Sequence, residues 1–403
     1  MKENILRKFG YSFHNVGISE RVRNIHPSAI TSMLNIASKM EDVIWFVAGV
    51  PPFQTTEFIR QKVCKLLEDK NNIEIDQYAL VGGMPKLKET FAQKLKKQKN
   101  IEIAAQKEIL VTSGSIEALR ICLEAILDPG DEVILFSPGF SYYKTQILLA
   151  FGKPVYIPLM EQKNWSLDIN HIKKALTKKT KAILLTSPNN PTGSVLKQSD
   201  FIKIAQIAME HDLFVLSDEA YSFLTYDGIE HFSALDLPEF RSKFMVCFSC
   251  SKEYAMTGWR VGFVCAAEGI IQQLQKIHDA TVLSVPTISQ FAAISAMEEK
   301  QDYIKTHKAI YEKRRRIVCE RLDRLAHIFE YNKPEGGFFI FPKIKKPKVN
   351  DMQFCLDVLK NARVALVPGS DFGPSGKGHV RIVFIGAEED LHEGFDRLEK
   401  YLA

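Results

Sequence analysis

Between residues 109 and 265 the chain alternates short, continuous apolar runs with amphipathic stretches. The runs are Ile109–Thr112, Val133–Phe136, Pro154–Ile157, Lys181–Thr186, Leu213–Ser217, Phe244–Phe248 and Val261–Cys265, and most of their residues are β-branched or aromatic. A run that is apolar at every position, rather than at alternate ones, suits a strand covered on both faces. Ser115–Leu127 and Ser199–His211 carry helical spacing between such runs. Strand, helix, strand in that rhythm predicts a parallel sheet with right-handed crossovers. Val261–Cys265 follows its predecessor too closely for a helical crossover and is expected to run antiparallel. After about residue 290 the pattern changes. A long helical segment, Tyr303–Leu325, precedes strand candidates Phe338–Phe341, Ala365–Val367 and Val380–Phe384 and a last helix, Glu389–Tyr401. The expected organisation is a segment 1–48 that packs with a small C-terminal α+β domain, a large α/β domain over 49–289, and that small domain over 290–403.

Composition narrows the class without naming a function. Of the 403 residues, 46% are hydrophobic and 25% charged, which excludes a disordered or collagen-like chain. The net charge of +5 decides little about partners. The basic clusters Lys94–Lys99, Lys173–Lys181, Arg314–Arg316 and Lys343–Lys348 are mostly flanked by acidic residues and read as solvated faces, so no nucleic-acid partner is expected. Met1–Phe9 lacks the apolar core of a signal peptide, and no apolar run reaches about 18 residues, so a cytoplasmic protein with no membrane partner is expected. Seven cysteines fit a reducing compartment. Cys247-Phe248-Ser249-Cys250 has no second pair to complete a zinc set, and no metal site is expected.

The candidate chemistry sits just after the predicted strands. Lys252, in Ser249-Cys250-Ser251-Lys252, follows a buried strand between hydroxyls; a desolvated lysine there suits Schiff-base chemistry with an aldehyde. Arg260, in Gly258-Trp259-Arg260-Val261-Gly262, supplies a planar fork for a phosphate, with Ser249 and Ser251 as neutral donors. Thr112-Ser113-Gly114-Ser115-Ile116 is a strand end, a small-residue turn and a helix start, whose free N–H groups suit an anion. Ser187-Pro188-Asn189-Asn190-Pro191 is a turn that fixes Asn190 rigidly. In Ser217-Asp218-Glu219-Ala220-Tyr221, Asp218 suits a protonated ring nitrogen and Tyr221 reaches the same ring. Parallel α/β sheets bind ligands at the edge where all of these fall.

This constellation resembles the class I/II, fold-type I aminotransferases that use pyridoxal 5′-phosphate (PLP), from about Gly49 to the C-terminus, with five separated segments in order. The resemblance implies a mostly parallel seven-stranded sheet with helices on both faces plus a smaller α+β domain. It implies PLP as cofactor and ping-pong transfer of an amino group between an L-amino acid and a 2-oxo acid. Lys252 would join PLP covalently and then move the substrate proton; Asp218 would hold the pyridine nitrogen protonated; Asn190 and Tyr221 would hydrogen-bond the ring oxygen. Gly114, Ser115, Ile116, Ser249, Ser251 and Arg260 would take the phosphate, and Phe140 would stack on the ring. Gly49 would approach the substrate, and Arg381, in His379-Val380-Arg381, would clamp its α-carboxylate. Tyr78, ahead of Gly82-Gly83, would reach the phosphate of a neighbouring subunit, implying a homodimer with shared active sites. The same fold and motifs serve C–S lyases and other eliminating or cyclising enzymes, so elimination remains the alternative outcome. Thr281–Gln290 holds no basic residue, and Phe46, Phe53, Ile116 and Phe140 are candidates for an apolar pocket, which together suggest a neutral or aromatic donor.

Overall fold

A computed structural model of the chain describes residues 17–23, 25–300, 302–346 and 348–403. The segment Met1–Phe9, and with it the first third of 1–48, lies outside the described residues. The central sheet has seven strands: β1 (Ile109–Thr112), β2 (Glu132–Ser137), β3 (Lys153–Pro158), β4 (Thr180–Thr186), β5 (Phe214–Asp218), β6 (Phe244–Ser249) and β7 (Gly262–Cys265). Their spatial order is β1-β7-β6-β5-β4-β2-β3. Neighbours are parallel except β7, which runs antiparallel to β1 and β6 as the short connection requires. All seven expected runs are strands, each within a residue of its expected bounds.

The reason for continuous apolar runs is visible in the packing. Alternate residues of one strand enter two different cores. Ile109 and Val111 of β1, and Ile183 and Leu185 of β4, lie in one core with Phe201, Ile204 and Ala208 of the helix Gln198–Glu210. Leu110, Ala182 and Leu184 lie in the other, with Ala118, Leu119 and Cys122 of the helix Ser115–Ile126. Side chains on successive strand residues point to opposite faces, so helices cover both. Each Val, Leu, Ile or Phe buried this way contributes about 1.5–3 kcal/mol.

A third core belongs to the C-terminal part. It gathers Val318 and Leu322 of the helix Asp302–Arg324, Leu391, Phe395 and Leu398 of the helix Glu388–Leu402, and the strands around them. Ala29, Met33 and Ala37 of the helix Ala29–Ala37 enter the same core, as do Phe46 and Val47. The expected strand Ala365–Val367 is two strands. Val364–Ala365 pairs parallel with Ile44–Trp45, and Val367–Pro368 pairs antiparallel with Val380–Val383, placing Val367 opposite Arg381. Leu366 separates two partners that lie in different directions, which an apolar run in one dimension cannot signal. Among the described residues, no helix is long and apolar enough to cross a membrane, and no cluster of potential metal ligands occurs.

Candidate active site

Strand β6 ends at Ser249, which caps the single helical turn Cys250–Glu253 by accepting from the Ser251 N–H at 3.2 Å. The turn carries Lys252 back over the sheet edge, where Nζ donates to the Gly49 carbonyl at 2.5 Å. Burial, reinforced by the charges of Arg260 and Arg381, pushes the Lys252 ammonium down to about 8, with Asp218 opposing. An amine so tuned is partly neutral near physiological pH and therefore nucleophilic.

Asp218 closes β5 and is buried. Its Oδ2 accepts from the Tyr143 hydroxyl at 2.9 Å and its Oδ1 from the Ala220 N–H at 3.2 Å. Burial nevertheless pushes the carboxyl up to about 6. A carboxyl destabilised by desolvation gains most from a cation placed against it, which suits a protonated ring nitrogen. Tyr143 belongs to the helix Tyr142–Leu149 that follows β2 and lies outside every motif named above. The available signal was its place in the first turn after a strand, three residues beyond Phe140. Phe140 lies edge-on to Tyr143, with centroids 5.4 Å apart.

Arg381 is 2% exposed. Its Nη1 donates to Asn190 Oδ1 at 3.1 Å and its Nη2 to the Val47 carbonyl at 2.6 Å, while Nε has no partner among the described residues. The guanidinium lies 5.2 and 5.0 Å from the ring centres of Phe339 and Phe372. Burial pushes it down to about 10, with Tyr221 and Asp371 opposing. A planar cation held by neutral oxygens fits an incoming carboxylate. Tyr221 stands edge-on to Phe338 and Phe339, at 5.3 and 5.2 Å. Burial raises its phenol, Arg381 opposes, and Asp218 adds to the rise. The peptide bonds before Pro188 and Pro191 are cis.

The turn after β1 has the features of an anion cradle. Gly114 has φ +79°, and a Cβ there would collide with the Arg260 guanidinium. Arg260 Nη2 donates to the Ser113 carbonyl at 3.0 Å and Nη1 to the Thr257 carbonyl at 3.0 Å, with Ser251 Oγ 3.4 Å away. No side chain caps the helix that starts at Ser115, so its first N–H groups stay available to a ligand. Ser115 and Ile116 lie beside them, Ile116 exposed.

Lys252, Gly49, Asp218, Tyr221, Asn190, Arg381, Arg260, Ser251 and the Gly114 turn are thus brought to one edge of the sheet. Tyr78 is not among these contacts and is 83% exposed. Phe46 and Phe53, two candidates for the apolar pocket, pack on the C-terminal core, to which Phe338 and Phe339 also belong. Phe46 packs on Phe395, 5.7 Å away, inside the C-terminal core, because the apolar strand it follows is drawn there. Phe53 stacks on His307 at 3.6 Å. Cys247 and Cys250 are free and buried, and both thiols are pushed up. The Cys247 side chain enters a sheet core, as the strand reading of that tetrapeptide requires.

The donor set fits a pyridine aldehyde phosphate: a depressed amine for the aldehyde, a buried carboxyl for the ring, and a glycine turn under an arginine for the phosphate. The sequence comparisons agree. Residues 41–398 match the family model for aminotransferase class I and II. The chain is 39% identical to an aspartate aminotransferase of Pyrococcus abyssi, over 96% of this chain and 98% of that one. It is 34% identical to aromatic-amino-acid aminotransferase 2 of Thermococcus litoralis, with the same coverage. Its fold matches the crystal structure of the aromatic aminotransferase from Pyrococcus horikoshii, with TM-score 0.86, 36% identity, and coverage of 93% and 98%. It also matches the Thermus thermophilus aspartate aminotransferase bound to maleate, with TM-score 0.89, 30% identity, and coverage of 96% and 99%. The chain belongs to the class I and II aminotransferases, fold-type I enzymes that depend on PLP to move an amino group between an amino acid and a 2-oxo acid.

Proposed function

We propose that this aminotransferase works through Lys252, Asp218 and Arg381, and that it favours donors with a neutral, above all aromatic, side chain. The observation that carries the assignment is the place of Lys252 Nζ, 2.5 Å from the Gly49 carbonyl at the sheet edge, where burial and the two arginines lower the amine and Asp218 opposes. Bound at this edge, PLP supplies the electron sink that makes the substrate Cα–H acidic. The protein's own groups do the rest. Arg381 takes the substrate carboxylate in a two-pronged contact and so orients the Cα–H. Lys252 Nζ takes the proton from that Cα. Asp218 would keep the ring nitrogen cationic, and Tyr221 and Asn190 would hydrogen-bond the ring oxygen. The Gly114–Ile116 turn, Ser249, Ser251 and Arg260 would hold the phosphate, and Phe140 would cover the ring face. Two half-reactions in series then return the enzyme to its starting form.

The donor preference rests on the walls around Gly49. A Cβ there would meet Phe338 and Phe339 at ordinary contact distance, and Tyr221 adds an aromatic edge. The two cations that act on Lys252 are already assigned, Arg260 to phosphate and Arg381 to the α-carboxylate. Among the described residues, neither of these two cations is left for a distal carboxylate. We also propose a homodimer in which Tyr78 reaches the other subunit's phosphate. Its support is Ile73, Tyr78 and Leu80, which are 63%, 83% and 65% exposed within one short segment. The seven free thiols suit the cytoplasm.

The test is a panel of amino acids, one at a time, against the PLP-loaded enzyme without acceptor. Transfer of the amino group with release of the matching 2-oxo acid, fastest for phenylalanine or tyrosine, is the expected result. Aspartate reacting faster would overturn the donor assignment, and release of ammonia with pyruvate would favour elimination.

A further inference from the structure

The Ser113 peptide is gripped from both sides. Its carbonyl accepts from Arg260, and its N–H donates to Glu117 Oε2. Glu117 lies in the first turn of the helix Ser115–Ile126. Its other oxygen, Oε1, stands 2.5 Å from Nδ1 of His278, which belongs to the helix Glu268–Thr281. The imidazole is fully buried, and its one hydrogen bond among the described residues is to Glu117. A carboxylate this close to a turn that receives a phosphate dianion is a like-charge cost. An imidazole N–H on the far oxygen draws that charge away from the turn and leaves the near oxygen to fix the Ser113 peptide.

We propose that Glu117 and His278 are positioning residues for the cofactor phosphate: the pair sets the Ser113–Ile116 turn and offsets the Glu117 charge beside it. Neither side chain touches the phosphate; both act through the Ser113 peptide. The inference rests on the reading that the phosphate lies on this turn under Arg260.

Apoenzyme is titrated with PLP and, separately, with pyridoxal, which lacks the phosphate, and bound coenzyme is read by absorbance. His278→Ala is expected to weaken PLP about tenfold, the scale of a lost hydrogen bond to a charged group. Pyridoxal affinity should stay within about twofold of the parent. His278→Asn, whose amide N–H can take the place of Nδ1–H, should restore most of the difference, and Glu117→Gln, which removes the charge and keeps an oxygen for the Ser113 N–H, should relieve the loss when added to His278→Ala. The ³¹P resonance of bound PLP should move in His278→Ala and return in His278→Asn. Equal losses for PLP and pyridoxal, or no loss, would overturn the proposal, as would Ala and Asn variants that behave alike. If His278→Ala does not fold, His278→Leu, which fills the site without an N–H, decides by the same ratio. Arg260→Gln serves as control. If it too fails to separate PLP from pyridoxal, the phosphate reading falls and the proposal with it; if it separates them and the other variants do not, the proposal alone falls.

Discussion

The Tyr143 hydroxyl stands 2.9 Å from Asp218 Oδ2 and is the one side-chain hydroxyl that donates to this carboxylate among the described residues. It supports the ionised form against the cost of burial, and Asp218 still lies at about 6. Replacing it by phenylalanine removes the donor and leaves the ring, so the carboxyl should rise further. The expected outcome for Tyr143→Phe is an Asp218 midpoint in the apoenzyme that lies higher by about one unit, the equivalent of about 1.4 kcal/mol. A carboxyl-resolved NMR titration of the apoenzyme measures it; an unmoved midpoint would show that Asp218 is held ionised by other means.

Lys252 lies at about 8 before the cofactor arrives. Its neutral form, which attacks an aldehyde, is the minority below that pH and the majority above it. Loading of PLP onto apoenzyme should therefore quicken as pH rises from about 6.5 to 8 and level off beyond about 9. Stopped-flow absorbance at fixed PLP concentration reads this directly. A midpoint near that of an ordinary lysine would refute the depressed amine.

Arg381→Lys keeps a charge and loses the planar fork. Amino-acid affinity should fall by about 10–100-fold, because a hydrogen bond to a charged group is worth about 1.5–3 kcal/mol. PLP affinity should remain close to the parent value. Half-reaction kinetics beside a PLP titration separate the two. Equal losses would mean that Arg381 supports the fold around Asn190 and Val47 rather than the substrate.

Gly114→Ala adds a methyl where φ is +79° and where the Arg260 guanidinium already sits. With ψ at 170° the backbone lies in a region nearly confined to glycine, and holding another residue there costs about 1–3 kcal/mol. Thermal melting should show a drop of that order in the apoenzyme. PLP affinity should fall as well, since Arg260 must move to admit the methyl. Unchanged melting and unchanged PLP affinity would mean that the turn relaxes freely.

The sheet was legible because strands covered on both faces leave an unmistakable apolar run, as Ile109–Thr112 and Lys181–Thr186 do. The site motifs were legible because glycine, proline, aspartate and lysine at strand ends have few structural uses in common. Three things were not. Tyr143 looks like any helix aromatic until the fold lays it against Asp218. The split of residues 364–368 depends on partners more than three hundred residues away for one half and close by for the other. Phe46 reads as a pocket residue beside a glycine loop, whereas its ring is claimed by Phe395. In each case the deciding contact is tertiary.

The short stretch from Ile44 to Gly49 is anchored at one end and functional at the other. Phe46 is wedged against the helix Glu388–Leu402, where a Cβ on Gly394 would run into its ring. A few residues on, the Gly49 carbonyl meets the reactive amine. The last helix of the chain is thus mechanically tethered to the nucleophile. A single methyl introduced at Gly394, in a part of the protein with no chemistry of its own, should be felt at Lys252.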